Sequence, residues 1–165
     1  MTRILRSLFT SFLLAAPAVA ATPACAAPEY RQFDFWIGDW DVYDVGDPRP
    51  SMRIKVEKIL DGCALKESYQ DVNGMIGESI NFYDAGKKLW HQTWATNRGM
   101  VLLLDGKLDN GRMTFTATEQ TAQGPVLWRA VWIPQGAEVR ETAETSTDGG
   151  KTWKPKFDIV FRKHK

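Results

Sequence analysis

The chain has 165 residues, enough for one domain with a substantial core and too few for two. Hydrophobic residues make up 44% and charged residues 25%, which argues against a disordered chain. Twenty-one Lys and Arg stand against 20 Asp and Glu with no basic block, so nothing offers nucleic acid or an anionic membrane a footprint.

The first segment reads as a secretory signal. Arg3 and Arg6 give a positive start, an apolar run follows from Leu8 to Ala20, and Ala18-Val19-Ala20 supplies small residues for cleavage after Ala20. The run is too short for a membrane span. Without residues 1–20, which hold two arginines and no acid, 19 basic residues face 20 acidic ones. Residues 21–28 read as a flexible Ala/Pro-rich leader. Cys25 within it raises a lipoprotein anchor as a rival, which the preceding Thr22-Pro23-Ala24 disfavours because a lipobox carries Leu at the first of these places. The expected compartment is therefore periplasmic or extracellular. Export permits a Cys25–Cys63 disulfide, but a buried free thiol at Cys63 is the favoured expectation.

Residues 29–165 form the expected domain, with a short helical or irregular stretch over 29–38. Beyond it, turn signals such as Asp61-Gly62, Asn73-Gly74, Asp109-Asn110-Gly111 and Asp148-Gly149-Gly150 recur at short intervals. Between the turns lie runs rich in β-branched and aromatic residues, predicting strands near 39–45, 51–60, 63–71, 76–84, 88–96, 100–107, 112–119, 126–134, 138–146 and 153–162. Met52, Ile54 and Val56 alternate with Arg53, Lys55 and Glu57; Met113, Phe115 and Ala117 alternate with threonines. A period of two marks a sheet with one wet and one dry face. An open ten-stranded sheet leaves two bare edges, so the expected fold is all-β: a single antiparallel up-and-down barrel of about ten strands, with a two-sheet sandwich as the alternative.

Phe33-Asp34-Phe35-Trp36-Ile37-Gly38-Asp39-Trp40-Asp41-Val42 resembles the opening motif of a family of exported bacterial proteins of unknown function, described as lipocalin-like or calycin-like barrels. The resemblance continues through Asp61–Glu67, Ser79–Asp84, Trp90–Trp94, Ser146–Trp153 and Phe157-Asp158. It implies an architecture and no chemistry. Gly38-x-Trp40 also looks like the start of lipocalins, where the Trp plugs the closed end of the barrel. Nitrobindin-type haem barrels open alike but need an iron-ligating histidine, and this chain has only His91 and His164.

No cofactor is implied. Two His and two Cys make no zinc set, and no HExxH, CxxC, Gly-x-Ser-x-Gly elbow, P-loop or Rossmann fingerprint occurs. Ser146-x-Asp148-x-Gly150-x-Thr152-Trp153 matches a sialidase Asp-box, but a single copy reads as a hairpin stabiliser. The suggestive feature is a hairpin over 76–84 and 88–96. On it, Ser79, Asn81 and Tyr83 share one face, as do Trp90, Gln92 and Trp94. Aromatic area with a few hydrogen-bonding groups suits a small-molecule pocket. Glu67, Arg129 and Glu141 fall among apolar neighbours at period two, with Arg129 as partner for a buried carboxylate.

The expected lining is therefore Trp40, Glu67, Ser79, Asn81, Tyr83, Trp90, Gln92, Trp94, Arg129 and Glu141. The expected function is to hold a small apolar or amphipathic molecule. Two rivals stand beside it: an enzyme using Glu67 or Glu141 with Tyr83 or His91, and an interaction protein with a filled barrel. The sequence gives no oligomeric state.

Overall fold

The computed structural model describes residues 24–165; the expected signal segment and cleavage site lie outside them. Ten strands follow in order: β1 Gly38–Asp44, β2 Pro50–Ile59, β3 Ala64–Asp71, β4 Ile76–Asp84, β5 Leu89–Thr96, β6 Val101–Asp109, β7 Arg112–Thr121, β8 Gly124–Gln135, β9 Glu138–Ser146 and β10 Lys154–Lys163. Each agrees with its predicted strand to within two residues at either end. The region around 29–38 holds two 3₁₀ turns, Pro28–Arg31 and Asp34–Trp36.

Every strand pairs antiparallel with the next, and β1 pairs with β10 (Trp40 opposite Lys163, Val42 opposite Phe161), so the sheet closes into a barrel. Closure leaves no strand edge without a partner strand. Tight hairpins make the meander feasible: Asn110 and Gly111 hold positive φ of 47° and 74°, as a two-residue turn between twisted strands requires. Alternation sends Ile54 and Val56, Met113 and Phe115, and Ile159 and Phe161 inward, and the charged or threonine residues between them outward.

One end is closed by the N-terminal turns. Phe33 and Trp36 are fully buried and stack on each other at 4.9 Å between ring centroids. Around them stand Trp90, Phe115 and Trp132, at 5.9, 5.7 and 5.6 Å from the Phe33 ring. Asp34 binds Lys58 at 2.7 Å, Trp90 Nε1 donates to Gln32 Oε1, and the Arg31 guanidinium donates to the Gly62 carbonyl. These contacts fasten the plug to β2, β5 and the β2–β3 connection.

Cys25 and Cys63 form a disulfide, where a buried free thiol at Cys63 was expected. The 3₁₀ turn Leu60–Gly62 brings Cys63 to the barrel rim, where the N-terminal segment passes. The bond therefore holds the leader at Cys25 against the barrel.

The Asp-box is a hairpin stabiliser, as expected. Asp148 Oδ1 accepts from the backbone N–H of Lys151 and Thr152, both at 2.9 Å, and Ser146 Oγ accepts from Gly150 N–H. These bonds to the charged form hold the Asp148 carboxyl far below its ordinary range, led by the Thr152 hydroxyl.

Candidate functional site

Between the aromatic plug and the opposite mouth, the inner wall carries a band of polar side chains. Glu67 on β3, Ser79 and Asn81 on β4, Gln92 on β5 and Glu141 on β9 are all buried. They face inward because each holds the same alternation phase as a core residue: Glu67 with Leu65 and Tyr69, Gln92 with Trp90, Glu141 with Val139 and Ala143. Register then sets neighbours. Glu67 lies opposite Ser79, Ser79 opposite Trp94, Asn81 opposite Gln92, and Glu141 opposite Trp132.

Ser79 is the hub. Its hydroxyl donates to Glu67 Oε2 at 2.7 Å and accepts from Asn81 Nδ2 at 2.9 Å and Gln92 Nε2 at 3.5 Å. A hydroxyl has one donor and two acceptor positions, so Ser79 is fully used. Other polar atoms of the interior are not. Asn81 Oδ1, Tyr69 OH and Trp132 Nε1 are buried without a partner. Among the described residues no hydrogen bond or ion pair reaches Glu141. Buried polar groups without partners cost free energy.

The two carboxyls are strongly perturbed. Burial pushes Glu67 up to about 7, with the Ser79 hydrogen bond pulling the other way. Glu141 is raised well above its ordinary range by burial first and the Glu67 charge second. The strands β3 and β9 lie on opposite sides of the cylinder, so the two carboxyls feel each other across the lumen.

Aromatic walls flank the band. Tyr69 stacks on Trp94 with centroids 6.0 Å apart and planes 8° from parallel. Tyr69 lies flat over Gly77, where a Cβ would sit 2.1 Å from the ring, so only glycine permits this placement. Burial, then the Glu67 and Asp71 charges, push the Tyr69 phenol up to about 12 against the opposing Arg98 charge, keeping it a neutral hydrogen-bonding group.

The predicted lining is thus divided by the structure. Glu67, Ser79, Asn81, Gln92, Trp94 and Glu141 come together. Trp90 faces inward but belongs to the plug, and Tyr83 sits at the closed rim, edge-on to Tyr30 at 5.3 Å. Trp40 plugs the same end: its Nε1 donates to the Trp36 carbonyl at 2.9 Å, and Lys163 Nζ lies 3.6 Å above its ring.

Arg129 is a correction. It points outward on β8, binds Glu144 Oε1 through Nε at 2.6 Å and stacks on Trp153, 4.2 Å from the ring centroid. It partners neither buried carboxyl. His91 also lies outside, between Asp84 and Asp105, so it shares no face with Glu67 or Glu141. Sequence reasoning missed Tyr69 and Trp132. The signal was present: Tyr69 follows Glu67 by two residues, and Trp132 follows Trp128 by four on one strand.

The barrel wall is split toward the open end between β6 and β7. β6 and β7 pair only from Asp105 opposite Thr116 to Asp109 opposite Arg112. Val101–Leu104 remain paired with β5, and Ala117–Thr121 with β8, but not with each other. A groove of about 830 Å³ lies along this split. Its lip is Leu103, Thr116, Thr118 and Phe82, while the inward residues Leu104, Ala117, Trp128 and Gln92 line its depth. Gln92 both lines the groove and belongs to the Ser79 network, so one side chain separates the groove from the buried polar band.

No family model matches the chain, and no curated protein matches it, so its function is argued from the site itself.

Proposed function

We propose that this chain is an exported small-molecule-binding protein that holds a partly apolar ligand inside its barrel. The observation that carries the reading is the buried band: Glu67 tied into the Ser79, Asn81 and Gln92 network, Glu141 unpartnered across the lumen, and beside them unpartnered polar atoms and stacked aromatics. A purely structural core gains nothing from Glu141, because burying a carboxyl without partners is costly while an apolar side chain of similar volume fills the space. Aromatic walls supply contact area and a few polar groups fix orientation, the division of labour of small-ligand pockets. The split between β6 and β7 supplies the route inward. Export rests on the residues 1–20 signal and suits a disulfide-bonded chain.

The test is intrinsic tryptophan fluorescence with a library of amphipathic metabolites, because Trp94, Trp128 and Trp132 line the route or the band. Saturable quenching or a blue shift, lost in Ser79→Leu, is the expected result. A flat response across the library refutes the reading.

A second reading, an enzyme on the same barrel, draws on Glu67. A carboxyl brought near neutrality is suited to proton transfer. Turnover of any bound ligand, abolished by Glu67→Gln while binding persists, distinguishes it.

A further inference from the structure

Charge in the middle of the inner wall is one-sided. Through the middle and open end of the barrel the inward-facing acidic residues are Glu67 and Asp71 on β3, Glu119 on β7 and Glu141 on β9. Among the described residues, the basic side chains in inward rows stand at the two ends: Lys58 and Lys163 at the closed end, where Lys58 binds Asp34 and Lys163 donates to the Ile37 carbonyl, and Lys154 at the mouth, opposite Thr145. Lys156 Nζ lies 5.9 Å from the Trp128 ring centroid, and none of these forms an ion pair with Glu67 or Glu141. Arg129, the one candidate counter-ion in the sequence, is outside.

From this arrangement we propose that the occupant of the band is an organic cation: an aliphatic or arylalkyl ammonium ion whose nitrogen sits between Glu67 and Glu141 and whose carbon skeleton lies against Tyr69, Trp94 and Trp132. The inference rests on the ligand-binding reading and deepens it by naming the charge of the head group.

Three independent features support the assignment. The first is the missing positive charge: two carboxyls face one lumen with no basic partner, and a buried carboxylate stays ionised only when paired. The second is the unmet acceptor. Asn81 is fully buried, its amide nitrogen is engaged with Ser79, and its Oδ1 points at no donor. An ammonium ion carries donors only, so it satisfies Asn81 Oδ1 and the carboxylates together. The third is the wall. Stacked Tyr69 and Trp94 present π-faces, which attract cations where water is excluded. An anionic head group meets repulsion from both carboxylates. A neutral head group leaves their ionisation unsupported.

The same geometry ties binding to protons. With the lumen empty, burial keeps Glu67 protonated up to about pH 7 and Glu141 protonated well above its ordinary range. A cation that binds the ionised pair displaces a proton to solvent, so its affinity rises with pH until the carboxyls are ionised without help. The other titratable groups facing the band are Tyr69, neutral throughout this range, and Glu119, which accepts from Trp128 Nε1 at 2.8 Å; toward the mouth the Arg98 charge acts on Tyr69 and Lys156 Nζ lies 5.9 Å from the Trp128 ring centroid. Asp71 lies at the mouth, where its Oδ1 caps the backbone of Asn73 and Met75.

The experiment titrates the full mature chain with octylammonium, octanol and octanoate, matched in length, by tryptophan fluorescence and calorimetry at pH 5 and pH 8. Octylammonium is expected to bind more tightly than either partner, by about tenfold or more at pH 8, and to lose about tenfold on going to pH 5. Glu67→Gln/Glu141→Gln is expected to abolish both the preference and the pH dependence, with an unchanged circular dichroism spectrum. Glu141→Gln alone, expected to halve the pH effect or more, serves should the double variant misfold. Octanol or octanoate binding as tightly as octylammonium overturns the inference and leaves the ligand-holding reading standing. So does octylammonium binding the double variant at full strength. Silence from all three probes overturns the inference, and the broader reading then falls only if the library screen is also empty.

Discussion

Replacing Glu67 by Gln should make the protein more stable at neutral pH and leave it unchanged in acid. The carboxyl titrates near 4.5 in the unfolded chain and at about 7 in the barrel. Because the folded state holds this proton more tightly, its contribution is fully present below pH 4.5 and is lost as pH rises through 7. At about 1.4 kcal/mol per pH unit, the gap corresponds to about 3 kcal/mol between pH 4 and pH 8. Glutamine keeps the shape and a hydrogen-bonding group toward Ser79 but has no proton to lose. Removing the Glu67 charge also relieves Glu141, which acts in the same direction. Urea unfolding followed by tryptophan fluorescence at each pH gives the difference between wild type and variant directly. Surface carboxylates such as Asp39 and Asp158, held low by Arg53 and Arg140, lose their contribution as pH falls, but they do so in both proteins and cancel. A difference that stays flat from pH 4 to pH 8, or one that favours the wild type at pH 8, refutes the placement of Glu67 in a dry interior.

Reducing the Cys25–Cys63 disulfide, which spans 38 residues, should lower stability by about 4 kcal/mol on the loop-entropy relation, read as a drop of about 10 °C in Tm with reductant; a shift within error contradicts the bond. Phe33→Ala should cost about 3–5 kcal/mol in chemical denaturation, because it opens a cavity ringed by Trp36, Trp90, Phe115 and Trp132. Ala117→Trp, which fills the groove between Leu104 and Trp128, should slow ligand association about tenfold or more in stopped-flow fluorescence with little change in Tm; unchanged association places the route elsewhere.

The barrel was legible in the sequence because alternation is a local signal. Met113, Phe115 and Ala117 between threonines fix a face without knowledge of any partner strand. The acid band was half legible: Glu67 and Glu141 stood out as polar groups in apolar phase. Arg129 misled because the outer face of β8 is itself partly apolar. Leu127 and Trp153 line the outer groove, so period two no longer separates inside from outside there. The disulfide depends on the N-terminal segment folding back over the barrel end, a long-range event with no mark near Cys25. The seam between β6 and β7 left one trace, Val101-Leu102-Leu103-Leu104, where apolar residues occupy both faces of a strand. Leu103 is 68% exposed, which agrees with an outer face that serves as more than a solvated surface.

The ladder between β1 and β10 has a consequence for how the chain reaches this state. Nine of the ten ladders join strands adjacent in sequence, and each can form as soon as its hairpin exists. The tenth joins Trp40 to Lys163 across almost the whole chain. During synthesis, the first strand waits with its outer hydrogen-bonding groups unmet until the last one emerges. Non-local closure of this kind is slow and leaves a sticky intermediate exposed. Folding helpers that shield a nascent sheet would therefore act on the seam at β1, and losing the final ten residues would prevent closure rather than merely shorten a strand.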